Sequence, residues 1–585
     1  MLQFFKYVLA TISGLFIFFI LSFLLLVGIG SLFGGGESTV SVKEKSVLKI
    51  NLNQEIVENA SATEDPFAAL FDDGLGKIGL VTLKAALANA KLDPNIEGVF
   101  LSSEYPMAGY GTLGELRLAL EDFKESGKFV YSYGEVMTEK AVYINSVSDR
   151  IFVNRAGGIE LNGLYGEVTF FKGLFDKIGV KPVIFKVGEF KSAVEPYFRK
   201  DMSESNRTQV KSYINSIAGH IYSEVAESRG LTDAEMQDLL NNPVNSVEEA
   251  LERKLITDAV YYDEFEAAVK EELDIKESAK INYIDVTKYI KAKKFVKKGD
   301  RNNRIAVIVG QGNIVSGSTD GSNIASDSWV TELRKAVKDK KVKAIVLRIN
   351  SGGGSAMASD VMWREIELAK EEKPVYASMG DYAASGGYYM AMGCDTIFSN
   401  PTTLTGSIGI FGMLVNTQEL MNNKLGVTFD GVESHAHSDF PSVVHDMSDA
   451  EKMMIQSSVE RGYEKFTSKA AKGRGMKLDA LKALAGGRVW TGSQAKENGL
   501  VDVIGTLEDA ITMAAERAGI DDDYSVRYYP APKSDIELIV EKMMGQTSIQ
   551  MDKRLGILAP YIKEINGLSE MDKVQARMPF DLNIK

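Results

Sequence analysis

A serine, a lysine and a run of glycines carry the chemistry this sequence could perform. Ser385 lies at the centre of Asp381-Tyr-Ala-Ala-Ser-Gly-Gly-Tyr-Tyr-Met390. A β-rich run from Pro374 to Ser378 precedes it and ends in Met379-Gly380; a helix-compatible run from Gly386 to Met392 follows. The serine therefore reads as sitting on a tight strand-to-helix turn. Its hydroxyl is then presented where free backbone N–H groups favour negative charge. That suits a nucleophile whose reaction passes through an oxyanion. Small residues that let a helix pack closely on a sheet would leave the same pattern.

Such a hydroxyl needs a base. Lys191, within Gly188-Glu-Phe-Lys-Ser-Ala-Val-Glu-Pro196, could serve if neutral. From an ordinary pKa of about 10.4, neutrality at pH 7 costs about 4.6 kcal/mol. Burial in an apolar domain interface lowers an amine's pKa by up to ~3–5 units, which removes most of that cost. Ser–Lys dyads are a known form of the nucleophile–base pair. Composition by itself favours an ordinary solvated lysine. Gly352, Gly353 and Gly354 would let backbone N–H groups approach a substrate carbonyl, and one of them with Gly386 N–H would form an oxyanion hole. A strand-to-helix turn needing positive φ explains the same glycines.

The elements that must position these residues follow an α/β pattern. Val47 to Leu52, Gly98 to Leu101 and Phe129 to Tyr133 read as strands, with helical spacing over Thr82 to Lys91 and Leu113 to Phe123. Alternating strands and helices imply a parallel sheet covered on both faces. A mainly helical region runs from Asn206 through Glu227 to about Leu273, and the charged stretch Lys291 to Arg304 reads as a linker or surface loop. At Arg304 to Gly310 the pattern begins again. Ala344 to Leu347 matches Gly98 to Leu101, Lys373 to Tyr376 matches Lys128 to Tyr131, and Leu425-Gly-Val427 matches Ile178-Gly-Val180, at offsets of 245 to 247. Several matches in register mark an internal duplication.

The two copies differ where the chemistry lies. Asn350-Ser-Gly-Gly-Gly-Ser355 follows a strand in the second copy, where the first has Ser103-Glu-Tyr-Pro-Met107. Ser385 falls opposite Glu139, and Lys191 falls near His437 or Ser438. Each half holds what the other lacks.

The chain of 585 residues suggests more than one domain, and 45% hydrophobic with 25% charged residues is a globular composition. A net charge of -13 argues against nucleic acid as a partner. Cys394 is the only cysteine, so an intrachain disulfide is impossible. Between Lys6 and Glu37 no charge occurs, and Tyr7 to Phe33 is apolar enough to span a bilayer as a retained anchor. Lys43 and Lys45 follow closely, so charge bias gives only weak support for an N-terminus-in topology. Gly34-Gly-Gly36 reads as a flexible link.

These motifs together resemble the signal peptide peptidase A (protease IV) family in its long, duplicated, membrane-anchored form, over nearly the whole chain from the anchor to about Val503. The resemblance rests on Phe190-Lys-Ser-Ala-Val-Glu-Pro196, Asp381 to Tyr389, Thr405-Gly-Ser-Ile-Gly409 and Gly487-Arg-Val-Trp-Thr-Gly492. It implies tandem Clp protease/crotonase-like domains: an anchor over residues 1–36, a lysine-bearing domain over 37–298, and a serine-bearing domain over 299–585. It also implies Ser385 as nucleophile, Lys191 as general base, Ser407 orienting the lysine, and Gly353 and Gly386 as oxyanion donors. No cofactor or metal is implied. The expected partners are remnant signal peptides, the lipid bilayer and three further copies in a homotetrameric bowl. The expected location is the inner membrane, with the catalytic body on the periplasmic side. The family usually has Ser-Pro-Gly-Gly after the strand; Gly352 stands at the proline and should loosen that turn.

Apolar substrates would bind extended, by adding a strand beside Thr405 to Ile410. The rivals are a crotonase-like acyl-CoA enzyme, a membrane-tethered scaffold, and a chamber protease acting on other membrane-protein fragments. A Ser–His–Asp hydrolase is weak, because no G-x-S-x-G elbow surrounds Ser385. His435-Ala-His437 reads as solvated rather than metal-binding. The tail from Ile536 to Lys585 has helical stretches at Ile536 to Met544 and Lys553 to Ile565, with no assignable chemistry.

Overall fold

Near-continuous apolar runs in this chain become strands buried on both faces. The computed structural model describes residues 3, 6, 7, 11, 13–21, 40–59, 77–297, 299–318, 323–530 and 574–578. Val342–Ser351 is the clearest case: Val342, Ala344, Ile345, Val346, Leu347 and Ile349 are all buried. Only a sheet with cover on each side consumes such a run.

Each half is built on one sheet with a parallel core of six strands. In the first, the strands run Asp258–Ala259, Arg150–Ile159, Phe129–Met137, Ile96–Ser102, Ser46–Asn51 and Asn282–Asp285. The second half repeats that order with Val503–Ile504, Thr396–Ser399, Val375–Ala384, Val342–Ser351, Arg304–Gln311 and Ser525–Tyr529. All these pairs are parallel. The duplication read from the sequence is thus a repeated topology. Helices cover the sheets, among them Leu80–Leu92 and Tyr110–Lys124 in the first half and Ser326–Lys338 and Ala356–Glu372 in the second. The helical region after residue 203 forms Glu204–Arg229, Asp233–Asn241, Val247–Glu252 and Tyr262–Glu272, broken by the short strand Asp258–Ala259. Residues 291–304 do more than link: Phe295 N–H donates to Asn89 Oδ1 at 2.6 Å, and Ser525 N–H to the Asn303 carbonyl at 2.9 Å.

The halves share their cores. Ala384, Leu404, Val489 and Met578 of the second half pack in the main cluster of the first, and Phe185 of the first packs in that of the second. A further sheet crosses the boundary. Its order is Ile324–Ala325, Ile314–Val315, Gly353–Ser355, Val574–Arg577, Phe411–Asn416 and Lys181–Lys186. Lys181–Lys186 of the first half pairs antiparallel with Phe411–Asn416 over its full length.

A buried ionic cluster adds a second joint. Arg348 is 1% exposed and meets Glu58 Oε2 and Glu115 Oε1, each at 2.7 Å. Lys84 binds Glu115 Oε2 at 2.7 Å and also meets Glu508. Burial pushes the Glu115 carboxyl up, but Arg348 and Lys84 overcome it and hold the group at about 2. Glu58 has the single cation Arg348, and there burial wins and raises its pKa.

Residues 13–21 are helical, and no helix among the described residues is long and apolar enough to cross a membrane. The expected span over residues 7–33 lies largely outside the described residues, as do the two helical stretches expected in the tail.

Candidate active site

Val375–Ala384 runs directly into Ser385, so the small-residue cluster before the serine is strand and not turn. The strand changes neighbours on the way. On one edge Val342–Ser351 stays beside it as far as Ala383, but on the other Tyr376 to Met379 pair with Thr396 to Ser399 whereas Tyr382 to Ala384 pair with Leu404 to Gly406. Small side chains at Ala383 and Ala384 permit that crowded exchange, which periodicity could not reveal. Ser385 then takes φ +55°, ψ −109°, its N–H donating to the Gly406 carbonyl at 2.8 Å. A serine at positive φ is strained, and strain of this kind persists where surrounding structure over-determines it. The helix Gly386–Ala391 starts at the next residue.

Lys191 reaches this serine from the other half. Its Nζ lies 2.8 Å from Ser385 Oγ, and 3.0 Å from both the carbonyl oxygen and Oγ of Ser407. Lys191 and Ser385 are both fully buried. Burial alone drives the lysine pKa well below its ordinary 10.5. A neutral amine has two N–H bonds and one lone pair. Donation to the two Ser407 oxygens leaves the lone pair to accept the Ser385 hydroxyl hydrogen.

The lysine loop is sewn in place by backbone. After Lys181–Lys186 has paired with Phe411–Asn416, Val187 N–H donates to the Ile410 carbonyl at 3.2 Å and Phe190 N–H to Gly486 at 3.1 Å. Gly487 packs directly on the lysine: a Cβ there would lie 2.6 Å from Lys191 Cα, and one at Gly409 would lie 3.2 Å from Lys191 Cδ. Ser407 N–H donates to the Arg488 carbonyl at 2.7 Å, while the Arg488 guanidinium lies 4.1 Å from the Trp490 ring centroid and 5.1 Å from that of Phe190. The motifs around Gly409 and Gly487 are therefore the lysine's packing shell, a role their sequence did not reveal.

Gly353 and Gly386 meet beside the serine. A Cβ on Gly353, whose φ is +98°, would stand 2.7 Å from Gly386 N. Gly353 N–H itself donates to Ser351 Oγ at 3.1 Å, and Ser351 Oγ–H to the Gly312 carbonyl at 2.6 Å. Gly352 has no positive φ, and a Cβ there would make only ordinary contact at 3.6 Å. The turn is thus shaped by Gly353 and Ser351, with Gly352 outside the left-handed region.

Supporting contacts come from the first half. Thr112 N–H and Oγ1–H donate to Asp381 at 2.8 and 2.6 Å. Asn350 Nδ2–H donates to Glu58 Oε1 at 2.9 Å, and Tyr382 N–H to Asn350 Oδ1 at 3.1 Å. Nothing in the sequence around Glu58, Glu115 or Thr112 signals this role, since each is an isolated polar residue. The Leu404–Gly406 strand is already paired on both sides, with Tyr382 to Ala384 and with Val489–Thr491. It therefore has no free edge at Thr405, and of the expected Thr405 to Ile410 docking stretch only Ser407 to Ile410 lies beyond these strand pairings. His435 and His437 lie in an exposed loop, with His437 Nδ1 3.4 Å from Glu451 Oε1.

Two stretches of the chain, residues 122–276 and 367–521, match the model of peptidase family S49. The chain belongs to peptidase family S49. This S49 chain is 32% identical over 587 residues to "Protease 4" of Haemophilus influenzae, covering 96% of this chain and 95% of that protein. It is 31% identical over 580 residues to "Protease 4" of Salmonella typhi, covering 96% and 93%. To "Serine protease SPPA, chloroplastic" of Arabidopsis thaliana it is 32% identical over 545 residues, covering 92% and 78%. The S49 chain is a serine protease with its family domain in two tandem copies.

Proposed function

We propose that this S49 protease is a membrane-anchored endopeptidase with a Ser385–Lys191 dyad, acting on remnant signal peptides. The approach of Lys191 Nζ to Ser385 Oγ, 2.8 Å in a fully buried setting, carries the reading. Neutral Lys191 takes the serine proton as Oγ attacks the scissile carbonyl. The C–N bond breaks, the protonated lysine returns its proton to the leaving amine, and water then hydrolyses the acyl-enzyme. Ser407 fixes the lysine's two N–H bonds so that its lone pair faces the serine. Gly386 N–H and Gly353 N–H, the latter released from Ser351 Oγ, stabilise the oxyanion.

The apolar run over residues 7–33 supports retention at the membrane, where cleaved signal peptides are released. The periplasmic side of the inner membrane and the Clp protease/crotonase-like fold come with the family resemblance, and the repeated parallel sheets agree with that fold. A homotetramer is supported by an unmatched element. In the first half, Gly179 at φ +76° leads into the strand that pairs with Phe411–Asn416. The equivalent Gly426, at φ +70°, leads into residues with exposed Val427, Phe429 and Val432 and no strand. A neighbouring copy would supply the partner. Val432→Asp should then lower the sedimenting mass; an unchanged mass removes this joint from the assembly.

The deciding experiment compares Ser385→Ala and Lys191→Ala with wild type on a fluorogenic apolar peptide, each checked for fold. Both should lose on the order of 10⁴-fold or more in kcat. Substantial activity in Lys191→Ala would put the base elsewhere.

A further inference from the structure

The strand that leads to Ser385 does not run evenly beside Val342–Ser351. Ile349 pairs with Met379 and Ser351 with Ala383, so the single residue Asn350 faces Gly380, Asp381 and Tyr382. This bulge sets where Ser385 stands relative to Ser351 and the glycines that follow it. Asn350 fills the bulge. Tyr382 N–H donates to Asn350 Oδ1 at 3.1 Å, and the Asn350 carbonyl accepts Gly312 N–H at 3.1 Å. Asn350 Nδ2–H then donates across the halves to Glu58 Oε1 at 2.9 Å.

A carboxamide has two unlike ends, and the donors around this one leave it no choice. Tyr382 N–H can only donate, so Oδ1 must face it and Nδ2 must face Glu58. Arg348 Nε–H, 2.7 Å from Glu58 Oε2, can likewise only donate. Both Glu58 oxygens therefore accept, which a carboxylate does and a carboxamide cannot. Glu58 is itself held firmly. It is 2% exposed, its N–H donates to Gln311 Oε1 at 3.0 Å, and a Cβ on Gly380 would lie 2.5 Å from Glu58 Oε1. The first half shows what a plain acceptor achieves at this place. Glu104 stands opposite Asn350 in the duplication, and its Oε1 accepts Glu135 N–H directly at 2.8 Å.

We propose that Glu58 of the first half is a positioning residue for Ser385: it orients the Asn350 amide, which holds the bulge that aims the serine at Gly353 and Gly386. The proposal rests on Ser385 as the nucleophile. Glu58→Gln keeps the shape but sets an NH2 group against either Arg348 Nε–H or Asn350 Nδ2–H. Turning the Asn350 amide relieves the second conflict only by setting Nδ2–H against Tyr382 N–H. Adding Asn350→Asp removes the conflict. Both oxygens of that carboxylate accept, one from Tyr382 N–H and one from the carboxamide at position 58, and the charge of the cluster is restored.

The test compares full-length wild type, Glu58→Gln, Asn350→Asp and the double variant on a fluorogenic apolar peptide. Glu58→Gln should lower kcat on the order of 10²-fold with KM within about twofold, since a reacting group displaced by about 1 Å loses that much. Asn350→Asp alone sets two carboxylates face to face and should lose about tenfold. The double variant should return to within about threefold of wild type. Hydrogen–deuterium exchange of the peptide containing Tyr382 should show protection lost in Glu58→Gln and regained in the double variant. Every substitution preserves shape, so a packing role predicts no loss in any of them. An unchanged kcat in Glu58→Gln, or losses that multiply in the double variant instead of cancelling, overturns the proposal. Should Glu58→Gln fail to fold, the double variant decides: near wild-type activity supports the proposal, and an inactive or unfolded protein overturns it. If no chain hydrolyses any peptide, the dyad reading fails, whereas exchange at Tyr382 still reports on the clamp.

Discussion

Lys191 Nζ and Ser385 Oγ stand 2.8 Å apart although 194 residues separate them in the chain. The contact exists because a strand of the first half, Lys181–Lys186, has joined a sheet of the second. Among the described residues no acidic side chain pairs with the lysine, and burial holds its pKa well below 10.5.

Activity should rise with pH through the lowered lysine pKa, because only the neutral amine can accept the serine proton. The rising limb of kcat/KM against pH should fall well below the ordinary lysine value of 10.5. Lys191→Arg should not restore the limb, since a guanidinium stays charged. A pH–rate profile with its midpoint near 10.5 would contradict a neutral buried lysine.

The same group should leave a signature in stability. Between its folded pKa and 10.5 the unfolded chain holds a proton that the folded chain lacks, so stability rises with pH across that window. Below the folded pKa both states hold the proton and the full penalty applies. Lys191→Met should therefore stabilise the fold most at low pH, with a gain that shrinks as pH approaches 10.5. Denaturant midpoints measured from pH 5 to 10 would show the slope, and a pH-independent difference would refute it.

Arg348→Met should leave Glu58 and Glu115 buried without their shared guanidinium, at a cost of about 3–5 kcal/mol. Wild type should lose stability as pH falls from 4.5 toward 2, because Glu115 is held ionised down to about 2 and its contribution disappears on protonation. In the variant, protonation relieves the stranded carboxylates. The gap between the two melting temperatures should thus narrow in acid; a constant gap would mean the cluster is not ionised as described.

Gly487→Ala should lower kcat while the fold persists. The added Cβ would sit 2.6 Å from Lys191 Cα, N and Cβ, and the residue has φ +84°, so the lysine backbone must shift. A displacement of about 1 Å at a reacting group can cost on the order of 10²-fold. Wild-type kcat in a folded variant would show that the loop tolerates the shift.

Much of this molecule is legible in its residues. The matches of Gly98 to Leu101 with Ala344 to Leu347, and of the glycines at 179 and 426, announce two copies, and the sheets repeat strand for strand. The apolar runs also locate the central strands to within a few residues. Errors arose where neighbours change. The β-rich run reads as ending near Gly380, whereas the strand continues through Ala383 and Ala384, because these pair with Thr405 and Gly406 and are not marked by local periodicity. Whether Thr405 has a free side is likewise invisible locally, since it depends on Val489–Thr491.

The sequence by itself determined the duplicated α/β architecture and the motifs bearing Ser385 and Lys191, because strand and helix periods and fixed glycines are local properties. Only the tertiary structure decided that the lysine is sealed from water beside the serine, that Arg348 joins Glu58 to Glu115, and that Glu58 faces Asn350. Each of these depends on which distant strands share a sheet. Burial and pairing between residues hundreds of positions apart arise only once that sheet has closed.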